Sequence, residues 1–73
     1  MTFLLIVLTF TCPDGRIEET KITRRYPSQL ELAMQEYSDY HDNIGTYRKT
    51  FDGQACVLTD IKGAHKKAKK VVK

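Results

Sequence analysis

Apolar residues are most concentrated near the beginning of the chain, where residues 3–8 form an uninterrupted apolar run that Phe10 extends. Leucine, β-branched and aromatic side chains of this kind favour a buried strand. The run is far shorter than the ~20 residues that a membrane-spanning helix requires. The sequence Pro-Asp-Gly at 13–15 then supplies the chemistry of a tight turn. We therefore predict a first strand over residues 3–10 and an antiparallel second strand over residues 16–25.

A helical pattern follows the second strand. Ser28 and Glu31 have the spacing of a capping box, in which two side chains bond free backbone N–H groups at the start of a helix. Asn43 and Gly45 suit the left-handed residue that often follows a helix. We predict a helix over residues 28–41. The apolar residues that recur there at helical spacing are Leu30, Ala33, Met34, Tyr37 and Tyr40.

Two further strands are predicted after the helix, over residues 46–51 and 54–60, separated by the hairpin signal Asp52-Gly53. Hairpins on both sides of one helix imply a small antiparallel sheet of ββαββ order with the helix packed on one face, an α+β fold. The polar second strand suits an edge of the sheet, and the apolar first strand suits its centre. Residues 1–61 are predicted to form this single domain.

The first strand is apolar on both faces, so the sheet has more apolar surface than one helix can cover. Alternate residues of a strand point to opposite faces, which places Phe3, Leu5 and Val7 together on the uncovered face. Monomers rarely expose contiguous apolar patches beyond a few hundred Å². Three coverings are consistent with the sequence: a second copy of the chain, a different macromolecule, or the C-terminal segment. The segment would contribute Ala64, Ala68, Val71 and Val72.

Charge is divided between an acidic body and a basic C-terminal segment. The net charge is +3, from 12 Lys and Arg residues and 9 Asp and Glu residues. Residues 62–73 contain six lysines and no acidic residue, so the remainder has 12 − 6 = 6 basic and 9 acidic residues, a net charge of −3. We predict that this segment is a lysine-rich tail or a short amphipathic helix. It also predicts an alternative function, nucleic-acid binding through Lys62, Lys66, Lys67, Lys69, Lys70 and Lys73.

Cys12 and Cys56 are the only cysteines in the chain. Such sparse cysteines are typical of reduced thiols in a cytosolic protein, while a single bridge stays open as an alternative if their strands are neighbours. A secretion signal requires positively charged residues before its apolar region, and no lysine or arginine precedes the apolar run here. We predict a cytoplasmic protein with no membrane partner.

Motifs for catalysis or metal binding are missing from the sequence, which has no Gly-rich phosphate loop, nucleophile elbow or HExxH. His41 is flanked by Asp39 and Asp42, a pattern that a polar helix end explains. The cysteines and the two histidines, His41 and His65, lack the short paired spacings of a zinc site. We predict that the protein is not an enzyme and that it uses no cofactor or metal.

Three stretches of the sequence, EETKIT, QLELAMQEYSDY and FDGQACVLTD, resemble the phage antitoxin family Dmd, whose members bind and silence host RNase toxins. The resemblance covers about residues 18–60, and the lysine-rich segment departs from the family pattern. It implies a small phage-encoded protein that acts by binding a host protein. No functional residue is carried over from the family.

These observations lead to a hypothesis of protein binding. We predict a phage-type protein that binds and inhibits or regulates a host protein, such as a toxin, a defence factor or a gene-expression factor, in the host cytoplasm. The surplus apolar face and the second strand would provide the contact surface. A homodimer formed through the same face is a third hypothesis. The predicted partner-binding residues are Phe3, Leu5, Val7, Arg24 and Arg25.

Overall fold

A computed structural model describes residues 2–67, with side-chain surroundings described up to residue 65. The ββαββ order and the α+β class predicted from the sequence are confirmed. No helix within the described range combines the length and hydropathy needed to cross a membrane. The elements are β1 (Thr2–Thr11), β2 (Ile17–Tyr26), α1 (Leu30–Asp42), β3 (Arg48–Phe51) and β4 (Gln54–Lys67).

The four strands form one antiparallel sheet in the order β2-β1-β4-β3. The central position of β1 and the edge position of β2 are therefore confirmed. A register shift between Thr9 and Phe10 marks a bulge in the β1–β4 pair, and a bulge strengthens the local twist of a sheet. The sheet is curled so far that the Lys49 Nζ of β3 lies 3.3 Å from the Thr20 Oγ1 of β2.

The two hairpin turns are brought together by this curl. The Arg16 guanidinium lies 3.2 Å from an Asp52 carboxylate oxygen. The Gln54 amide donates to a carboxylate oxygen of Asp14 at 3.0 Å. The backbone N–H of Arg16 and this amide hold the pKa of the Asp14 carboxyl below its ordinary value. Side chains of the two turns therefore hold the turns against each other and stabilise the curl at this end of the sheet.

The C-terminal segment differs from its prediction where the structure describes it. Residues 62–67 continue β4 and pair with β1, so that Lys62 lies opposite Val7 and Lys67 opposite Thr2. The prediction of a separate tail or helix is wrong for these six residues. An apolar central strand needs hydrogen-bond partners on both edges, and residues 61–67 provide them for the first half of β1. Residues 68–73, with Lys69, Lys70 and Lys73, lie outside the described range.

The core lies between the sheet and α1. Even-numbered side chains of β1 point into it, and Ala33 is the helix residue buried against them. The ring of Phe10 has its centroid 5.3 Å from that of Phe51 and 6.0 Å from that of Tyr47. The buried residues are Leu4, Ile6, Leu8, Phe10, Cys12, Ala33, Cys56, Leu58 and Ile61. Burying one large apolar side chain contributes about 1.5–3 kcal/mol, so this face of the sheet supplies most of the stability.

The helix begins two residues later than predicted, and the capping box is absent. Its N-cap is Gln29, which makes no side-chain cap hydrogen bond. The Gln29 side chain instead accepts a 2.9 Å hydrogen bond from the backbone N–H of Arg25, which ties the helix start to the end of β2. Met34, predicted for the apolar face, is 60% exposed because it lies on the flank of the helix.

One ion pair joins α1 to β2. The Arg24 guanidinium donates two hydrogen bonds to the Glu36 carboxylate, at 2.7 and 2.8 Å. These bonds hold the pKa of Glu36 below its ordinary value of 4.5. Because the folded pKa is lowered, the pair stabilises the fold fully above pH 4.5 and loses that contribution as the pH falls through the folded pKa.

We expect Glu36→Gln to lower the melting temperature by a few degrees at pH 7 and to have no effect at a pH below the folded pKa of Glu36, where the native carboxyl is already protonated. Thermal unfolding followed by circular dichroism at several pH values measures this difference. Glu31→Gln, at an exposed position of the same helix, is the matched control. A difference that does not change with pH would show that the ion pair does not stabilise the fold.

The two cysteines form a disulfide, so the prediction of reduced thiols is wrong. Thr11 pairs with Val57, and Cys12 and Cys56 are the residues that come next to this pair along the chain. Their Cα atoms are 4.1 Å apart, and both side chains are buried. The alternative that the sequence left open, a single bridge between neighbouring strands, is the one observed.

Candidate functional site

The face of the sheet opposite to α1, called the open face below, is the candidate binding site. It is formed by alternate residues of β1, starting at Phe3, and by the residues paired with them on β2 and β4. Phe3, Leu5 and Val7 are half-buried there, whereas the β1 residues between them are buried in the core. No helix or strand among residues 2–67 covers this face.

The strand register arranges the open face in cross-strand rows with distinct chemistry. In each row a residue of β1 is flanked by one residue of β2 and one of β4, and paired residues share a face. The rows are Thr23–Leu5–Ala64, Lys21–Val7–Lys62 and Glu19–Thr9–Asp60, and Phe3 lies beside Arg25 of β2.

An apolar stripe is thus bordered by cationic residues on both sides. Lys21 and Lys62 are exposed next to Val7, and lysine stems can lie along apolar surface while their ammonium groups stay in water. The charge reverses one row further along, where Glu19 and Asp60 flank Thr9. The surface can therefore bury aliphatic groups of a partner, attract acidic groups beside Phe3 and Val7, and repel them at the acidic row.

A shallow pocket of about 230 Å³ lies at the cationic end of the open face and is lined by Phe3, Thr23, Arg25 and Gln29. Arg25 is exposed, while its backbone is held by Gln29. The pocket thus combines an aromatic surface with a guanidinium whose backbone position is fixed. An acidic or carbonyl-bearing side chain next to an apolar one would fit these surroundings.

The structure divides the predicted partner-binding residues between two faces. Phe3, Leu5, Val7 and Arg25 lie together on the open face. Arg24 does not, because successive strand residues point to opposite sides, and its guanidinium is bound to Glu36 on the helix side. Arg24 therefore stabilises the fold and is not part of this surface.

The two surfaces that the sequence predicted separately meet on the open face. Lys62, assigned to a nucleic-acid-binding tail, lies directly beside Val7. Lys66 and Lys67 belong to β4, which places their backbone next to the beginning of β1. Sequence reasoning missed Lys21 and the 56% exposed Ile17, which share this face. Both residues have odd numbers in β2, as Arg25 does. Because alternate residues of a strand point to the same face, this alternation could have identified them from the sequence.

Neither histidine belongs to the open face. His65 lies on the helix side, where its Nδ1 is 2.7 Å from the Tyr26 hydroxyl. His41 is at the end of α1 and stacks on Tyr37 with ring centroids 6.4 Å apart. Within the part of the chain that the structure describes, no group of three or more His, Cys, Asp or Glu side chains is placed to hold a metal.

No family model, curated protein or solved structure matches this chain. The resemblance to the Dmd antitoxins therefore stays a prediction.

Proposed function

We propose that the protein is a non-catalytic binding protein that inhibits or regulates a host protein by contacting it through the open face. The observation that carries this proposal is the half-buried stripe of Phe3, Leu5 and Val7, flanked by cationic residues and left uncovered by residues 2–67. Apolar stripes with polar borders are typical of protein-binding surfaces, in which an apolar centre gives the affinity and the border gives orientation.

The chemistry of the open face favours a protein partner over a nucleic acid. Binding of single strands usually depends on several aromatic side chains that stack on bases, and β1 presents a single aromatic residue, Phe3, on this side. The acidic pair Glu19 and Asp60 at the end of the stripe would repel a phosphate backbone. The complementary partner surface is aliphatic, with acidic residues on both sides of the aliphatic groups.

We expect Val7→Glu to remove partner binding and leave the fold intact. A glutamate at this position can pair with Lys21 or Lys62 inside the free protein, but it removes the apolar contact and repels an acidic partner. The expected loss of affinity is about 30-fold to 150-fold, the effect of losing about 2–3 kcal/mol. Leu32→Glu, at a 48% exposed helix position, is the matched control.

The measurement is capture of partners from nuclease-treated bacterial lysate, followed by calorimetric titration of the captured protein with the native chain and both variants. Circular dichroism establishes that the variants are folded. Unchanged affinity of a folded Val7→Glu variant would exclude the open face. If nuclease removes all retained material, and removing residues 68–73 does the same, the alternative of nucleic-acid binding through the lysines replaces the proposal.

A further inference from the structure

The outer edge of β4 is unpaired over most of its length among the described residues. β3 pairs only with residues 54–57 of β4. The backbone of Leu58 is then occupied, because its N–H donates to the Tyr47 carbonyl and its carbonyl accepts from the Gly45 N–H, both at 2.8 Å. From Asp60 to Lys67, no described strand lies on this side of β4. A strand edge of this length presents a row of N–H and C=O groups that another strand can pair with.

A groove runs beside this edge, between β4 and α1. Its volume is about 270 Å³. In its lining the Tyr37 ring lies directly against Gly63, where an added Cβ atom would be only 3.0 Å from the ring. Met34 forms the helix side of the groove and is 60% exposed. The lining residues are Leu4, Met34, Tyr37, Gly63 and His65.

We propose that this edge and groove bind an extended segment of a partner protein, which pairs with residues 60–67 of β4 as a fifth strand and inserts an apolar side chain next to Met34. Main-chain hydrogen bonds to the edge would supply affinity, and the groove would select one side chain. The site lies outside the open-face stripe, so a single partner could contact both surfaces.

Charge defines the bound segment further. The proposed edge, residues 60–67, contains three lysines and one acidic residue, Asp60, so its net charge is positive. In an added strand, residues alternate between the helix side and the open-face side, where Lys62 is exposed. The complementary segment therefore alternates apolar residues that face the groove with acidic residues on the open-face side, where Lys62 attracts them. Pairing of two copies through this edge is disfavoured because it would bring two lysine-rich strands together.

The test uses a synthetic blocked peptide, Glu-Val-Glu-Leu-Glu-Val-Glu, titrated into the full isotope-labelled chain and followed by nuclear magnetic resonance. We expect shifted signals and slowed hydrogen exchange at the backbone amides of residues 60–67, together with a shift of the Met34 methyl signal. A peptide with Lys in place of each Glu should bind at least about tenfold more weakly. N-methylation of alternate peptide nitrogens should abolish binding, because it removes the main-chain donors.

Two variants of the protein are matched for this experiment. Met34→Lys should weaken peptide binding about tenfold by removing an apolar wall of the groove. Leu32→Lys, on the opposite flank of the same helix, should leave binding unchanged. Saturable binding that maps to the outer edge of β2 or to the open face would overturn the proposal, and so would the lack of any saturable binding. A dimer in which β4 edges pair, detected by sedimentation, would also overturn it.

The proposed open-face contact and the proposed β4-edge contact can be tested independently of each other. The Val7→Glu variant should still bind the peptide at the β4 edge within roughly tenfold of the native affinity, because the new carboxylate can pair with Lys62 but leaves the main-chain pairing and the groove unchanged. Loss of partner binding in that variant without loss of peptide binding supports both sites. Loss of peptide binding in Met34→Lys, with full partner binding, shows that the partner uses the open face alone.

Discussion

Phe10→Ala is expected to lower the free energy of unfolding by about 3–5 kcal/mol. The ring is fully buried and packs against Phe51 and Tyr47, so its removal leaves a cavity between the sheet and the segment that leads into β3. Total stability is roughly 4–11 kcal/mol for a domain of this length. The variant should therefore lose between roughly a quarter and all of the stability of the native chain.

Urea denaturation followed by circular dichroism measures this loss. Phe3→Ala is the matched control, because it is the same substitution in the same strand on the opposite face. Phe3 is half-buried, and we expect its removal to cost only roughly 1 kcal/mol. An equal cost at both positions would mean that the open face is packed inside the free protein, which would contradict the proposed binding site as well.

Removal of the disulfide is the second large effect. Cys12 and Cys56 are separated by 44 positions in the sequence, and a loop of this length is expected to contribute about 4 kcal/mol in the chain-entropy account. We expect the double variant Cys12→Ala and Cys56→Ala to be less stable by about 2–4 kcal/mol, since alanine keeps the buried positions apolar but removes the constraint and some volume.

Thermal unfolding with and without a reductant separates the bond from the packing. The native chain should melt at a lower temperature when reduced, and the double variant should not respond to the reductant. Titration of thiols in the unreduced, denatured chain provides the control. If two free thiols are found and the melting temperature does not change with the reductant, the cysteines stabilise the fold only as buried apolar groups.

Much of the fold could be predicted from local patterns. The apolar run of β1 identified a buried strand and its central position, and the turn residues at 13–15 and 52–53 identified both hairpins. The extension of β4 could not be predicted in this way, because residues 61–67 mix lysine, glycine and alanine without a strand pattern. Their conformation depends on β1, whose backbone groups need a partner on that edge.

The candidate site could be predicted only in part, for a similar reason. Parity along one strand correctly placed Phe3, Leu5 and Val7 on a common face. The alternation of side chains along a strand also means that Arg24 and Arg25 cannot both lie on this face. The register between β1 and β2 was needed to show that Arg25 is the one beside the stripe. Lys62 belongs to the surface because it pairs with Val7, which is far away in the sequence, and this pairing could not be predicted from local patterns.

Prediction of the disulfide also required the strand register, because the sequence alone does not show that Cys12 and Cys56 lie close together. Reduced thiols had been one reason to expect a cytoplasmic protein. Stable disulfides are rare in that compartment and common in oxidising ones. The cytoplasmic location stays a prediction that now depends on the other sequence features alone.

The central pair of strands, β1 and β4, comes from opposite ends of the described chain, with Thr2 next to Lys67. Contacts between distant parts of a sequence form slowly, because a long loop must close before they stabilise anything. During synthesis on the ribosome, the apolar β1 has no second neighbouring strand until residues 57–67 have been made. Until then it is an exposed aggregation-prone segment, so this small domain is expected to fold only after β4 has emerged.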